Sequence, residues 1–211
     1  MTALSGRYFV TGTDTEVGKT WVSCRLLEAA AAAGKTCYGL KPIAAGAEQT
    51  ENGRRNEDAA ALMACATEAL DYDLVNPVAL EAAIAPHIAA AEEKRLVTAS
   101  RLAGYVKGAW MSRKADLVLV EGAGGWLVPL NDRETMADLA RELDVPVILV
   151  VGMRLGCINH ALLSVGAIRA AGLTLAGWVA NDLGQPMNRL AENIATLEHF
   201  IDAPRIMLTE A

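Results

Sequence analysis

Apolar residues along this chain fall into short unbroken runs separated by longer alanine-rich stretches of helical character. That alternation is what successive strand–helix–strand units look like. The pattern predicts a strand at Tyr8–Thr11 and a helix that stops near Gly34, where glycine follows the run LLEAAAAA. A second strand spans Cys37–Leu40, and the polar stretch AEQTENGRRNE reads as a loop opening a helix over Asp58–Ala69. Residues Asp71–Arg95 carry no clear period and are expected to wander over the surface. Beyond them the pattern predicts helices at Ser100–Arg113, Glu134–Leu143, Asn159–Ala171 and Met187–Phe200. Strands are predicted at Leu117–Val120, Val145–Val151 and Leu175–Ala180. The runs VLV and PVILVV do not alternate with polar residues, so these strands are covered on both faces. The expected fold class is therefore α/β, a doubly wound and mainly parallel sheet forming one three-layer sandwich over residues 1–211, with no linker, repeat or low-complexity block.

The turn after the first strand carries chemistry. In RYFVTGTDTEVGKT (Arg7–Thr20) a strand ends in a Gly/Thr/Asp turn, and Lys19 then opens a helix. Gly18 lets the backbone curl so that successive N–H groups point inward, and the helix N-terminus adds partial positive charge. Lys19 is placed to reach the outer phosphates of a nucleoside triphosphate, and the Thr20 hydroxyl to ligate Mg²⁺. The usual spacing is four residues between the outer glycine and Gly-Lys, whereas five, Thr13 to Val17, separate Gly12 from Gly18 here. The turn is therefore a phosphate loop expanded by one residue, or else a plain strand-to-helix turn carrying a surface lysine.

In a parallel sheet, ligands bind outside the carboxyl ends of the strands. After the second strand stands Lys41, held extended by Pro42. It either faces an anion or is a solvated strand-end lysine. After Leu117–Val120 come Glu121 and the run Gly122-Ala123-Gly124-Gly125. An acidic residue there suits a Mg²⁺ carboxylate and the glycines suit close backbone approach to a ligand; the alternative is a tight turn with a solvated glutamate. Asn181-Asp182 ends the last strand, where an amide can read a base edge or simply mark a turn. Gly156-Cys157-Ile158-Asn159-His160 opens a helix whose free N–H groups form a second anion site, as any helix start does.

Composition narrows the function classes. With 53% hydrophobic and 21% charged residues, the 211-residue chain is an ordinary globular protein long enough for a large core. A net charge of −6 excludes a basic nucleic-acid face. No apolar run approaches the ~20 residues of a membrane helix, and MTALSGRYFV lacks the pattern of a signal peptide, so a cytoplasmic location is expected. The cysteines Cys24, Cys37, Cys65 and Cys157 form no C-x-x-C pair, and His87, His160 and His199 lack ligand spacing; all are read as structural or surface residues.

Taken in order, GTDTEVGKT (Gly12–Thr20), KPIAAG (Lys41–Gly46), RNEDA (Arg55–Ala59), VNP with Pro86-His87, VEGAGGW (Val120–Trp126), PVILVVG with LGCINH (Pro146–His160) and AGWVAND (Ala176–Asp182) closely resemble the dethiobiotin synthetase family over nearly the whole chain. The resemblance implies a phosphate-loop NTPase-like fold. It implies an enzyme that joins 7,8-diaminononanoate and CO₂, supplied as bicarbonate, at the expense of ATP, giving dethiobiotin, ADP and phosphate. By the same resemblance Lys19, Lys41 and Thr15 act on the carbamate and the transferring phosphoryl group. Thr20, Asp58 and Glu121 bind Mg²⁺. Glu16, Val17, Gly18, Lys19, Thr20 and Trp21, together with Gly122, Ala123, Gly124, Asn181 and Asp182, contact ATP. Substrate contacts come from Thr15, Lys41 and Ala45. The resemblance further implies a homodimer in which Gly156, Cys157, Ile158 and Asn159 of the second subunit meet the substrate carboxylate.

Two positions depart from the family pattern. Ala45 stands where relatives carry Ser or Thr, and RIMLTEA stands where they carry a segment resembling GEIPW that lines base and ribose. Weaker substrate contact and relaxed nucleotide selectivity are the corresponding expectations. A switch ATPase on the same fold, and a paralogue acting on another amine or carboxylate, remain as alternatives. Against the first, Gly12-Thr13-Asp14 lacks the early loop lysine of that class.

Overall fold

The unbroken apolar runs become a five-stranded, all-parallel sheet. The computed structural model describes residues 4–184 and 186–208. Its elements are β1 (Gly6–Gly12), α1 (Lys19–Ala32), β2 (Cys37–Leu40), β3 (Ile43–Ala44), β4 (Glu48–Thr50), β5 (Gly53–Arg55), α2 (Glu57–Ala64), α3 (Tyr72–Val75) and β6 (Val78–Ala79). They continue with α4 (Pro86–Glu92), α5 (Ala99–Ser112), β7 (Leu117–Gly125), α6 (Met136–Leu143), β8 (Val147–Met153), α7 (Cys157–Ala170), β9 (Leu175–Asp182) and α8 (Leu190–Phe200). The main sheet has the order β2-β7-β1-β8-β9. With β1 at its centre, the phosphate loop emerges mid-sheet, between the strand ends of β7 and β8.

Strand alternation sorts the side chains into two cores. Val10, Leu117, Leu119, Ile148 and Val150 pack with Val22, Leu26 and Leu27 of α1 and Leu62 of α2. The intervening Phe9, Val118, Val120, Leu149 and Val151 pack on the opposite face against residues of α5, α6 and α7. The register pairs Leu40 with Val120. The next residues, Lys41 and Glu121, follow on neighbouring strands, both on the α1–α2 side by the same alternation.

Three local expectations are corrected and one alternative is ruled out. The stretch read as a polar loop contains the antiparallel hairpin β4–β5, pairing Glu48 with Arg55 and Thr50 with Gly53. Its strands are polar on both faces, so hydrophobic alternation could not mark them. Helix α2 stops at Ala64 because the chain then turns to cap the sheet edge: Thr67 Oγ accepts from Cys37 N at 2.7 Å and Thr67 N donates to Cys37 O. Residues 71–95 do not wander over the surface. They hold α3, β6 and α4 and bury Val75, Leu80 and Ala89 at 1% exposure or less. Arg54 ties this segment down through Glu81 and Glu93, at 2.9 and 2.6 Å. Its elements are too short to show a period. The glycine run after Glu121 is not a tight turn but the continuation of β7, where Gly12 pairs with Gly125. A side chain at Gly122 would lie 3.0 Å from the Phe9 ring.

Past α8 the chain returns along β9. Trp178 N donates to Pro204 O and Ile206 N to Trp178 O, which covers the sheet edge. Of the tail RIMLTEA, Thr209–Ala211 lie outside the described residues, as do Met1–Ala3 of the amino-terminal stretch. Among the described residues no helix is long and apolar enough to cross a membrane.

The return segment fits β9 only because Gly177 lacks a side chain. A Cβ there would stand 2.9 Å from both Pro204 O and the Ile206 side chain. Gly177→Ala is expected to lower unfolding free energy by about 1–3 kcal/mol in urea titrations, as overpacking does.

Candidate active site

The phosphate loop buries the last residue of its five-residue spacer. Val17 is 1% exposed and packs in the α1-side core. A Cβ at Gly12 would lie 2.6 Å from the Val17 side chain. Glu16 takes φ 57° and Gly18 φ 79°, so the chain turns sharply into α1. Lys19 Nζ donates to Asp14 O at 3.2 Å, folding the lysine back across the loop. Asp14 is ion-paired with Arg154 at the end of β8, and its Oδ1 accepts from Thr15 N at 2.8 Å.

Beside the loop a buried ammonium sits between two carboxylates. Lys41 is 3% exposed and its Nζ lies 2.6 Å from Glu121 Oε1 and 2.8 Å from Asp58 Oδ2, with Gly122 O at 3.3 Å. Glu121 is fully buried. Thr20 Oγ stands 2.7 Å from Asp58 Oδ1 and 2.8 Å from Glu121 Oε1. One turn along α1, Ser23 donates to Glu121 Oε2 at 3.0 Å. Asp58 reaches the cluster from the first turn of α2, where the Asn56 side chain accepts from Asp58 N and Ala59 N. The Thr20 hydroxyl and the two carboxylates are hard oxygen donors converging on one place. That is the donor chemistry Mg²⁺ takes when phosphate oxygens complete its shell.

Burial disfavours the charged form of Lys41, but Glu121 and Asp58 more than offset it and hold the ammonium above the ordinary lysine range. Burial likewise works against ionised Asp58, but the Lys41 charge, the hydrogen bonds from Lys41 and Thr20 and the Lys19 charge together outweigh it and keep the carboxyl below its usual value. For Lys19 the carboxylates of Glu121, Asp58 and Asp14 act in the same direction but more weakly. Burial, then repulsion from Lys41, pull it down from 10.5 to about 8. Between those values the unfolded chain binds the proton more tightly, so the contribution of Lys19 to stability rises with pH from about 8 towards 10.5.

A cavity of about 650 Å³ opens over these groups, lined by Thr15, Glu16, Gly18, Lys19, Thr20, Lys41, Ala45, Asp58, Ala123 and Gly124. Its far wall is apolar, from Ala44, Ala83, Ile84, Ala85, Pro86 and Val128. Trp21, Asn181 and Asp182 line a second cavity of about 220 Å³, together with Arg205 to Leu208. Asn181 Nδ2 donates to Val17 O at 2.8 Å, tying the end of β9 to the loop. Gly122 reaches Lys41 through its carbonyl, whereas Val17 lines neither cavity and its carbonyl is taken by Asn181. Gly156, Cys157, Ile158 and Asn159 lie at the start of α7 and do not line either cavity within one chain. Ser23, Glu57 and Ala83 to Ala85 were missed in the sequence, whereas the tail from Arg205 was singled out as a departure and lies at the second cavity. Ser23 alone had a signal, standing three residues after Thr20 on the same helix face.

Truncating one member of the cluster strands a buried charge. Lys41→Met is expected to cost about 3–5 kcal/mol in urea titrations because Glu121 loses its partner. The double variant Lys41→Met/Glu121→Leu should recover much of that stability without recovering activity.

A family profile described as an AAA domain matches residues 6–207. The chain is 60% identical over 197 residues to the ATP-dependent dethiobiotin synthetase BioD of Cellvibrio japonicus (strain Ueda107), an alignment covering 93% of this chain and 86% of that protein. It is 52% identical over 201 residues to ATP-dependent dethiobiotin synthetase BioD 1 of Escherichia coli (strain K12), covering 95% and 88%. Among solved structures, the cell division protein FtsY of Thermotoga maritima superposes with TM-score 0.54 at 12% identity, over 99% of this chain and 64% of that one. The signal recognition particle receptor FtsY of Elizabethkingia anophelis superposes with TM-score 0.56 at 16% identity, over 100% and 61%. These likenesses show a phosphate-loop α/β fold, and the identity to the synthetases goes further: the chain belongs to the dethiobiotin synthetase family.

Proposed function

We propose that this protein is an ATP-dependent dethiobiotin synthetase of biotin biosynthesis, joining 7,8-diaminononanoate and CO₂ in a ring closure driven by ATP. The observation that carries the reading is the pairing of Lys19 and Lys41 at the mouth of one cavity, with Thr20, Asp58 and Glu121 behind them. One amine of the substrate takes up CO₂ as a carbamate, whose oxygen attacks the γ-phosphorus of ATP and displaces ADP, giving a carbamic–phosphoric anhydride. The second amine then attacks the carboxyl carbon, closing the ureido ring and releasing phosphate.

The chain supplies little covalent chemistry for these steps; it must bring anions together. Lys19 spans the phosphates and the carbamate, Lys41 faces the group in transfer, and Thr15 hydrogen-bonds the carbamate side. The backbone from Glu16 to Thr20 cradles phosphates, with Ala123 and Gly124 across the cavity. Lys19 and Lys41 together balance Asp58 and Glu121, so a triphosphate brings charge that the loop N–H groups and the helix start must meet. Mg²⁺ held by Thr20, Asp58 and Glu121 would supply the remaining neutralisation of phosphate charge. Trp21, Asn181 and Asp182 receive the base, and the position of Ile206 to Leu208 in the same cavity supports a role for the tail in holding it. Ala45 offers the substrate no hydroxyl. We further infer one phosphate-loop domain, a cytoplasmic location, and a homodimer in which Gly156 to Asn159 of a second copy meet the substrate carboxylate.

Phosphate release from ATP, measured while omitting diamine, bicarbonate and Mg²⁺ in turn, tests the reading. Release is expected to need all three, and to fall by about 10²–10³ in Lys41→Ala. Release indifferent to the diamine would instead mark a switch ATPase. A second outcome follows from Lys19. Its ammonium is partly deprotonated near pH 8 in the free protein, and phosphates restore the proton. Calorimetry in buffers of different ionisation enthalpy should therefore show proton uptake on ATP binding that grows from pH 7 to pH 8.5 and disappears in Lys19→Met.

A further inference from the structure

Behind the buried charge cluster runs a chain of hydrogen bonds among residues that do not line the cavity. Both backbone polar groups of Lys41 are held by the α3 turn: Lys41 N donates to Val75 O at 2.8 Å, and Lys41 O accepts from Asn76 Nδ2 at 2.6 Å. The Tyr72 hydroxyl lies 3.0 Å from Asn76 Oδ1 and accepts from Asn56 N at 2.7 Å. Asn56 Oδ1 accepts from Asp58 N at 3.1 Å and Asn56 Nδ2 donates to Ala45 O at 3.3 Å. Asn56 and Asn76 are 5% and 3% exposed, so water does not compete for these bonds. The Arg55 guanidinium covers the Tyr72 ring at 4.0 Å.

The donor directions are forced. A backbone N–H can only donate, so the Tyr72 oxygen accepts from Asn56 and its single proton goes to Asn76 Oδ1. That fixes the amide of Asn76, leaving its NH₂ to face the Lys41 carbonyl. The hydroxyl of Tyr72 thus adds a second neutral link, beside the Asn56–Ala45 bond and the charge pairs, between the strand exit that carries Lys41 and Ala45 and the helix start that carries Asp58.

We propose that Tyr72, with Asn56 and Asn76, is a positioning unit for the reaction, setting the backbone of Lys41 and Ala45 against the amino end of α2 so that Lys41 and Asp58 stay at working distance. The proposal rests on the synthetase reading above. Tyr72 touches no substrate; it acts through Lys41 and Asp58, as outer-sphere partners orient the groups that bind. Its removal leaves a buried Asn56 N–H without an acceptor and frees the Asn76 amide to rotate.

The test is Tyr72→Phe in the full chain, which keeps the ring and its packing, with Asn76→Ala as the second variant. Steady-state kinetics should show kcat lowered about tenfold in both, with KM for ATP rising by less than kcat falls, because Asp58 belongs to the network whereas Lys19 and the loop N–H groups do not. Hydrogen exchange of the ligand-free proteins should rise together at residues 41–47 and 56–62. Unchanged kcat overturns the proposal, as does exchange that rises only at 72–76 or uniformly over the whole chain. If the unsubstituted protein shows no diamine-dependent phosphate release, the synthetase reading fails by itself, and the exchange pattern still decides whether the two elements are braced.

Discussion

A charged ammonium inside a protein requires partners that are already in place, and here Lys41 lies between Asp58 and Glu121. Much of the local structure meets that demand. Glu121 continues an apolar strand in the middle of the sheet, and Lys41 ends the edge strand beside it. Thr20 and Ser23 reach Glu121 from α1, and Asp58 arrives on the first turn of α2. A cluster built on rigid elements keeps its geometry before any ligand arrives. Such preorganisation is what electrostatic stabilisation of phosphoryl transfer needs.

The two lysines differ because their surroundings differ. Lys41 has two carboxylates within salt-bridge distance and stays charged despite complete burial. Lys19, buried nearby and folded onto a neutral carbonyl, feels Lys41 as a like charge and sits near 8. On the proposed function a triphosphate is the partner that restores the Lys19 charge, while Lys41 is held charged by the protein alone.

The sheet was legible because a parallel strand covered on both faces leaves an unbroken apolar run, as Pro146–Val151 does. The loop was legible because glycine, lysine and threonine at that spacing answer a backbone demand. The pairing of Lys41 with Glu121 was half legible: each stood out as a charge at a strand end, but their meeting depends on β7 lying between β1 and β2, and strand order leaves no mark in local sequence. The hairpin at 48–55 and the segment 71–95 were misread for a different reason. Their order comes from long-range contacts such as Arg54 with Glu93, and from a four-residue helix too short to show a period. That second segment nevertheless supplies one wall of the cavity and both bonds to the Lys41 backbone.

The likeness to FtsY at 12% identity shows the fold alone, and function lives in the site built on it. In this site the loop is tied to its surroundings on two sides. Val17, the last residue of the five-residue spacer, turns its side chain into the core while its carbonyl accepts from Asn181 at the end of β9. A Cβ on Gly18 would lie 2.2 Å from the Asn181 amide nitrogen, so the glycine also permits this approach. One bond thereby links the strand end that borders the second cavity to the loop that borders the first. The five-residue spacer is held because Val17 is anchored at both its side chain and its carbonyl. Lys19 and Thr20 are thus delivered from a fixed helix start rather than from a mobile turn.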